Sequence, residues 1–139
     1  MEGLLVTGAT LSLDARSDVM ETAIEAGHVH GIGYWADVQQ TKDIEIEGKK
    51  RIGWMWIYDA EGGAEPDAAP DSPYFINTDR KPGYVGINGE HIQRAVAKML
   101  TDPELAKDWA GRLLDDDGLD GPLADAIIQV ACFGKLIYG

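Results

Sequence analysis

The chain has a single cysteine, Cys132, among 139 residues, so no disulfide can close within it and a reducing compartment is the simpler setting. Basic residues are scarce as well. Twelve lysines and arginines stand against 24 aspartates and glutamates, a formal charge of −12. Phosphate binding is driven by basic side chains displacing counterions, so nucleic acid is not expected as a direct partner. A basic protein surface, a cation or plain solubility suits that balance better. No run approaches the roughly 20 apolar residues that cross a bilayer, so no membrane partner is expected either. The opening MEGLLVTGATLSLDA lacks the basic region and apolar stretch of a secretion signal, and the expected location is the cytoplasm.

What is present is material for a core. Hydrophobic residues make up 45% of the chain and four of them are tryptophans, which is not the composition of a disordered segment. The length fits one domain over 1–139.

The stretch SDVMETAIEAGHVHGIGYW, Ser17 to Trp35, organises the rest. Val19, Met20, Ala23 and Ile24 share one helical face, while Asp18, Glu21, Thr22 and Glu25 share the other. Ser17 is the expected N-cap and Gly27 the expected stop. Beyond it, Ile32, Tyr34, Ala36 and Val38 alternate with Gly31, Gly33 and Trp35, which predicts a strand. Residues 4–13 predict a short strand or an extended arm. Ile44 to Glu47 and Arg51 to Tyr58 flank a glycine-containing turn and predict a hairpin. The second run is apolar on both faces, as a central strand would be.

Residues 60–73, AEGGAEPDAAPDSP, carry turn formers and no large apolar residue, and predict a mobile surface loop. Short extended pieces at Tyr74 to Asn77 and Tyr84 to Ile87 flank Lys81-Pro82-Gly83. Helices are then predicted over Glu90 to Leu100, from Asp102-Pro103 through Leu113, and over Pro122 to Phe133, with Gly134 as the last stop. The C-terminal helix is apolar nearly all round, which predicts that other elements surround it. Lys135 to Tyr138 are placed at a sheet edge. The fold class expected is α+β, a small antiparallel sheet of about three to five strands with about four helices.

Chemistry-bearing patterns are few. Gly31, Gly33 and Ala36 fit the letters of a dinucleotide fingerprint, but the fingerprint needs a strand before it and a helix after it, the reverse of this order. His28 and His30 would share one side of a strand, with His91 as a conceivable third ligand, yet polar residues at a helix-to-strand junction explain them as well. Asp37 is a conceivable acid/base partner for them. Neither calcium-loop register through Asp115 to Asp120 supplies the needed ligands. No metal and no cofactor is assigned. Asp125 and Gln129 lie one turn apart on the apolar helix, as a thin exposed stripe or as a buried pair tying it to its neighbours or to a ligand. Tyr34, Trp35, Trp54, Trp56 and Tyr58 read mostly as core, with some available to a pocket or contact surface. Cys132 reads as a buried structural thiol.

Two segments resemble a known family. ETAIEAGHVHGIGYWADV is similar to the "TALEGG…YW" segment of small proteins of tailed bacteriophages and prophages, and DAIIQVACFGKLIYG is similar to their "D-IVQ-A-FGE-VYG" ending. YVGINGEHIQRAVAKML stands where that family has a strand, a turn and a helix. The resemblance covers about half of the chain. It departs from the pattern at His28, where a second glycine is expected, and at Lys135, where an acid is expected. The resemblance implies a phage source and a host bacterial cytoplasm, and it implies no activity.

Three functions follow as expectations. The first is a phage accessory protein that binds and inhibits or modulates a host protein, conceivably one that handles nucleic acid or serves in defence. The second is a small-molecule or nucleotide binder, or an enzyme, with a pocket beside Gly27 to Trp35 and Asp125. The third is a virion structural or assembly component. Ligand or partner contacts are assigned to His28, His30, Tyr34, Trp35, Asp37, Asp125 and Gln129, and no residue is assigned a catalytic role.

Overall fold

The computed structural model describes residues 11–26, 31–59, 84–114 and 119–138. Residues 4–10 of the arm expected over 4–13, the histidines His28 and His30, the loop at 60–73 and the extended piece at Tyr74 to Asn77 lie outside them, and Leu13 of that arm is instead the first residue of a helix.

The hairpin expected from Ile44 to Tyr58 forms, and it is longer than the alternation suggests. Strand β1 runs Ala36–Ile46 and β2 runs Lys49–Asp59. Ile46 pairs with Lys49, which leaves Glu47 and Gly48 as a two-residue turn, both with positive φ, 50° and 80°. Such a turn matches the right-handed twist of the strands it joins. Strand β3, Tyr84–Asn88, pairs antiparallel with Trp54 to Tyr58. The order β1-β2-β3 places the doubly apolar β2 at the centre, as expected.

Among the described residues four helices accompany this sheet, and the fold is a small α+β one. They are α1 at Leu13–Glu25, α2 at Gly89–Thr101, α3 at Pro103–Leu113 and α4 at Gly121–Phe133. Each start is fixed by a side chain that accepts free backbone N–H groups. Asn88 and His91 form a reciprocal cap on α2, in which the His91 Nδ1 accepts the Asn88 N–H at 3.0 Å. Asp102 caps α3 as predicted, accepting the Glu104 N–H at 3.0 Å. Asp120 caps α4 by accepting the Leu123 N–H at 2.9 Å. That bond gives one acid of the 115–120 run a structural role.

The core lies between the helices and one face of the sheet. Met55 and Ile57 of β2, Val85 and Ile87 of β3, and Val19, Met20 and Ala23 of α1 are buried, as are Ile92, Ala95, Val96 and Met99 of α2. Helix α4 is buried without interruption from Leu123 to Cys132, as its composition requires. Burying one such aliphatic side chain stabilises by roughly 1.5–3 kcal/mol.

Three expectations are corrected. Helix α1 begins a turn early, because Ser12 is its N-cap and accepts the Ala15 N–H at 3.0 Å. Ser17 instead lies inside the helix, buried, and donates its hydroxyl to the Ile52 carbonyl at 2.6 Å. The alternation through Ile32 to Val38 is not one strand, since Ile32–Tyr34 is a 3-10 turn and β1 starts at Ala36. Lys135 to Tyr138 do not join the sheet, because Gln129 of α4 holds the backbone of Ile137 and Tyr138, as described below.

The polar face of α1 is engaged with the hairpin. Arg51 donates to Asp14 and Glu21 at 2.9 Å and to Asp18 at 2.5 Å. The three carboxylates fall at helical spacing, so one guanidinium reaches them all. Its hydrogen bond holds Glu21 below the usual carboxylate range.

Candidate functional site

Four of the seven expected site residues converge. Tyr34 lies on the 3-10 turn, Trp35 follows it, and Asp125 and Gln129 face them from α4. The Tyr34 hydroxyl donates to Asp125 Oδ2 at 2.7 Å, and the Trp35 indole donates to Oδ1 at 2.7 Å. Gln129 Nε2 adds a third donor to Oδ1 at 3.0 Å and lies 3.3 Å from the Tyr34 hydroxyl. A carboxylate taken out of water is costly unless donors surround it, and here the chain supplies three. Burial and then the Asp125 carboxylate push the Tyr34 phenol well above its ordinary value, so it stays protonated as a donor. Of the two readings of the Asp125–Gln129 pair, the buried tie is the one found.

Gln129 also holds the end of the chain. Its Oε1 accepts the backbone N–H groups of Ile137 at 2.9 Å and Tyr138 at 2.8 Å, and its Nε2 lies 3.3 Å from the Tyr138 carbonyl. A side-chain amide thus does what a neighbouring strand would do. Tyr138 stacks on Trp35 with ring centroids 5.2 Å apart, and its hydroxyl donates to the buried Asp59 at 2.8 Å.

Asp59 and Tyr138 are functional-site neighbours that no sequence motif marks. Asp59 follows Met55 and Ile57 at strand spacing, so the period-2 pattern that assigned the inner face also aims this carboxylate inward. Tyr138 gave no comparable signal, since its partners are distant in the chain.

The remaining expected residues stand elsewhere. Asp37 is exposed near the start of β1, opposite Tyr58, and its carboxylate is not part of the Asp125 network. His28 and His30 lie outside the described residues. His91, the conceivable third ligand, uses Nδ1 as a helix-cap acceptor, and burial lowers its pKa. Among the described residues no three His, Cys, Asp or Glu side chains are grouped to hold an ion. Cys132 is fully buried, and burial and then nearby Asp59 push its thiol pKa up, the opposite of what a nucleophile requires. Chemically, the Asp125 cluster holds three elements together, with its acceptor oxygens taken up by donors of the same chain.

The aromatic set divides between two faces. Trp35 is fully buried, whereas Trp54, Trp56 and Tyr58 alternate with Met55 and Ile57 and remain partly exposed on the other side of β2. Trp54 and Trp56 stack with centroids 6.0 Å apart and planes 8° apart. Trp56 lies against Gly86 of β3, where an added Cβ would come 2.9 Å from the indole Cε3. Nine consecutive β1 residues beside this face, Asp37 to Glu45, are exposed, with acids Asp37, Asp43 and Glu45 among them.

A separate groove of about 700 Å³ lies where α2 and α3 meet the segment after α4, lined by Lys98, Asp102, Leu105, Asp108, Phe133 and Lys135 among others. It holds none of the expected residues. No described helix is long and apolar enough to cross a membrane. Comparisons with protein-family models, curated proteins and solved structures find no match.

Proposed function

We propose that the chain is a small acidic phage accessory protein that binds a host protein and inhibits or modulates it, with the face of the sheet opposite the described helices as its contact surface. The observation that carries this reading is the stacked, partly exposed pair Trp54 and Trp56. Tryptophan is the side chain most enriched at the energetic centres of interfaces. The charge of −12 favours a basic partner, because complementary charge speeds encounter.

The alternatives gain less. A phosphate mimic would present its carboxylates in a row, but the row on α1, Asp14, Asp18 and Glu21, is occupied by Arg51. A small-molecule site centred on Asp125 would need acceptor oxygens facing a ligand, and those oxygens bond Tyr34, Trp35 and Gln129.

The test is affinity purification from the bacterial host at low salt, with the native chain and Trp54→Ala side by side. The reading predicts a host protein retained by the native chain, released as salt is raised and depleted with the variant. Failure to retain any host protein contradicts it.

A further inference from the structure

The Trp54 ring already carries a cation. Lys42 of β1 stands opposite Trp54 in the register, and its Nζ lies 5.4 Å from the ring centroid. Trp56 extends the aromatic surface. The register shift between Lys42 and Asp43 leaves Lys42 against Trp54 and turns Asp43 to Ile52, which packs against the core. An extended indole surface and an exposed ammonium therefore meet at one place.

We propose that this place recognises an arginine side chain in a basic segment of the partner, with the guanidinium stacked on Trp54. The inference rests on the partner-binding reading above and names the chemistry of the same surface. A guanidinium is flat, weakly hydrated and able to stack, whereas an ammonium is a compact, strongly hydrated charge. Arginine is accordingly the commoner cation over aromatic rings. The chain displays the same geometry elsewhere, where the Arg112 guanidinium stands 5.0 Å from the Trp109 ring. Lys42 is exposed, so it occupies the ring as a competitor that an incoming arginine displaces. The net charge of −12 draws a basic segment in, and the indole selects which basic residue stays.

The test is calorimetric titration of the full chain with two synthetic peptides of equal charge and spacing, one bearing arginines and the other lysines at the same positions. The arginine peptide is expected to bind about tenfold more tightly. Trp54→Ala is expected to abolish that difference, and Lys42→Gln to tighten the arginine peptide more than Lys49→Gln, which removes the same charge at the hairpin end. Equal affinity for the two peptides, or a preference that survives Trp54→Ala, overturns the inference. Should circular dichroism show that Trp54→Ala does not fold, the lysine variants decide, and equal effects of Lys42→Gln and Lys49→Gln overturn it. Host-protein capture indifferent to Trp54→Ala would sink the arginine site and leave partner binding intact. An arginine preference in a chain that captures no host protein would do the reverse.

Discussion

The indole nitrogen of Trp35 and the Oδ1 of Asp125, 90 residues apart in sequence, are joined by a buried hydrogen bond of 2.7 Å. That bond fixes the 3-10 turn against the C-terminal helix and explains why the chain leaves strand geometry just before β1. Asp125→Ala removes one side chain and strands three donors. A loss of about 3 kcal/mol is expected in denaturant unfolding. Tyr34→Phe removes one donor from the same carboxylate, and about 1 kcal/mol is expected.

Gln129 separates anchoring from mere packing. Gln129→Glu keeps the acceptor oxygens that hold the Ile137 and Tyr138 amides, but it loses the amide donor and sets a second carboxylate beside Asp125. Hydrogen exchange at Ile137 and Tyr138 is expected to quicken at neutral pH. Acidification should slow it again relative to the native chain, because protonating the new carboxylate relieves the repulsion.

Two glycines should respond with opposite signs. Gly134 closes α4 with a left-handed φ of 74°, so Gly134→Ala is expected to cost about 1 kcal/mol. Gly111 lies within α3, and an added Cβ there meets nothing within 4 Å. Gly111→Ala is therefore expected to stabilise by about 0.5–1 kcal/mol, read as a higher midpoint in the same unfolding assay.

Arg51 predicts a pH dependence. Its hydrogen bond is the first cause of the lowered Glu21 pKa. A carboxylate lowered in the folded chain contributes stability that is complete above its unfolded pKa, about 4.3, and is lost as pH falls through the folded value. The native chain should therefore lose stability on acidification through and below that range. Arg51→Ala should be less stable at neutral pH and show a shallower acid slope. Equal slopes in the two chains would mean that Glu21 gains nothing from Arg51.

Much of the scaffold was legible because its signals are local. The alternation of β2, the Asp102-Pro103 start and the all-apolar α4 each depend on neighbouring residues, and each stands where the pattern put it. The start of α1 is hidden because Ser17-Asp18 has the letters of a cap, while its serine donates to the Ile52 carbonyl across the fold. Tyr34 and Trp35 alternate like a strand but are held off one by Asp125. Spacing put Asp125 and Gln129 on one face of a helix and could not say whether that face met water or a neighbour. The tryptophans of β2 have the composition of core, although period 2 separates them from Met55 and Ile57. What the pattern lacked was the side on which the helices would settle.

The central claim is that binding takes place on the outer sheet face while the Asp125 network only holds the framework. Hydrogen exchange of the chain alone and with its captured host protein tests it most directly. The account predicts new protection concentrated in β1 and β2, over Asp37 to Glu45 and Lys50 to Tyr58, with α3 unchanged. Protection centred on the α2–α3 groove, with the hairpin exchanging as it does in the free chain, would contradict it.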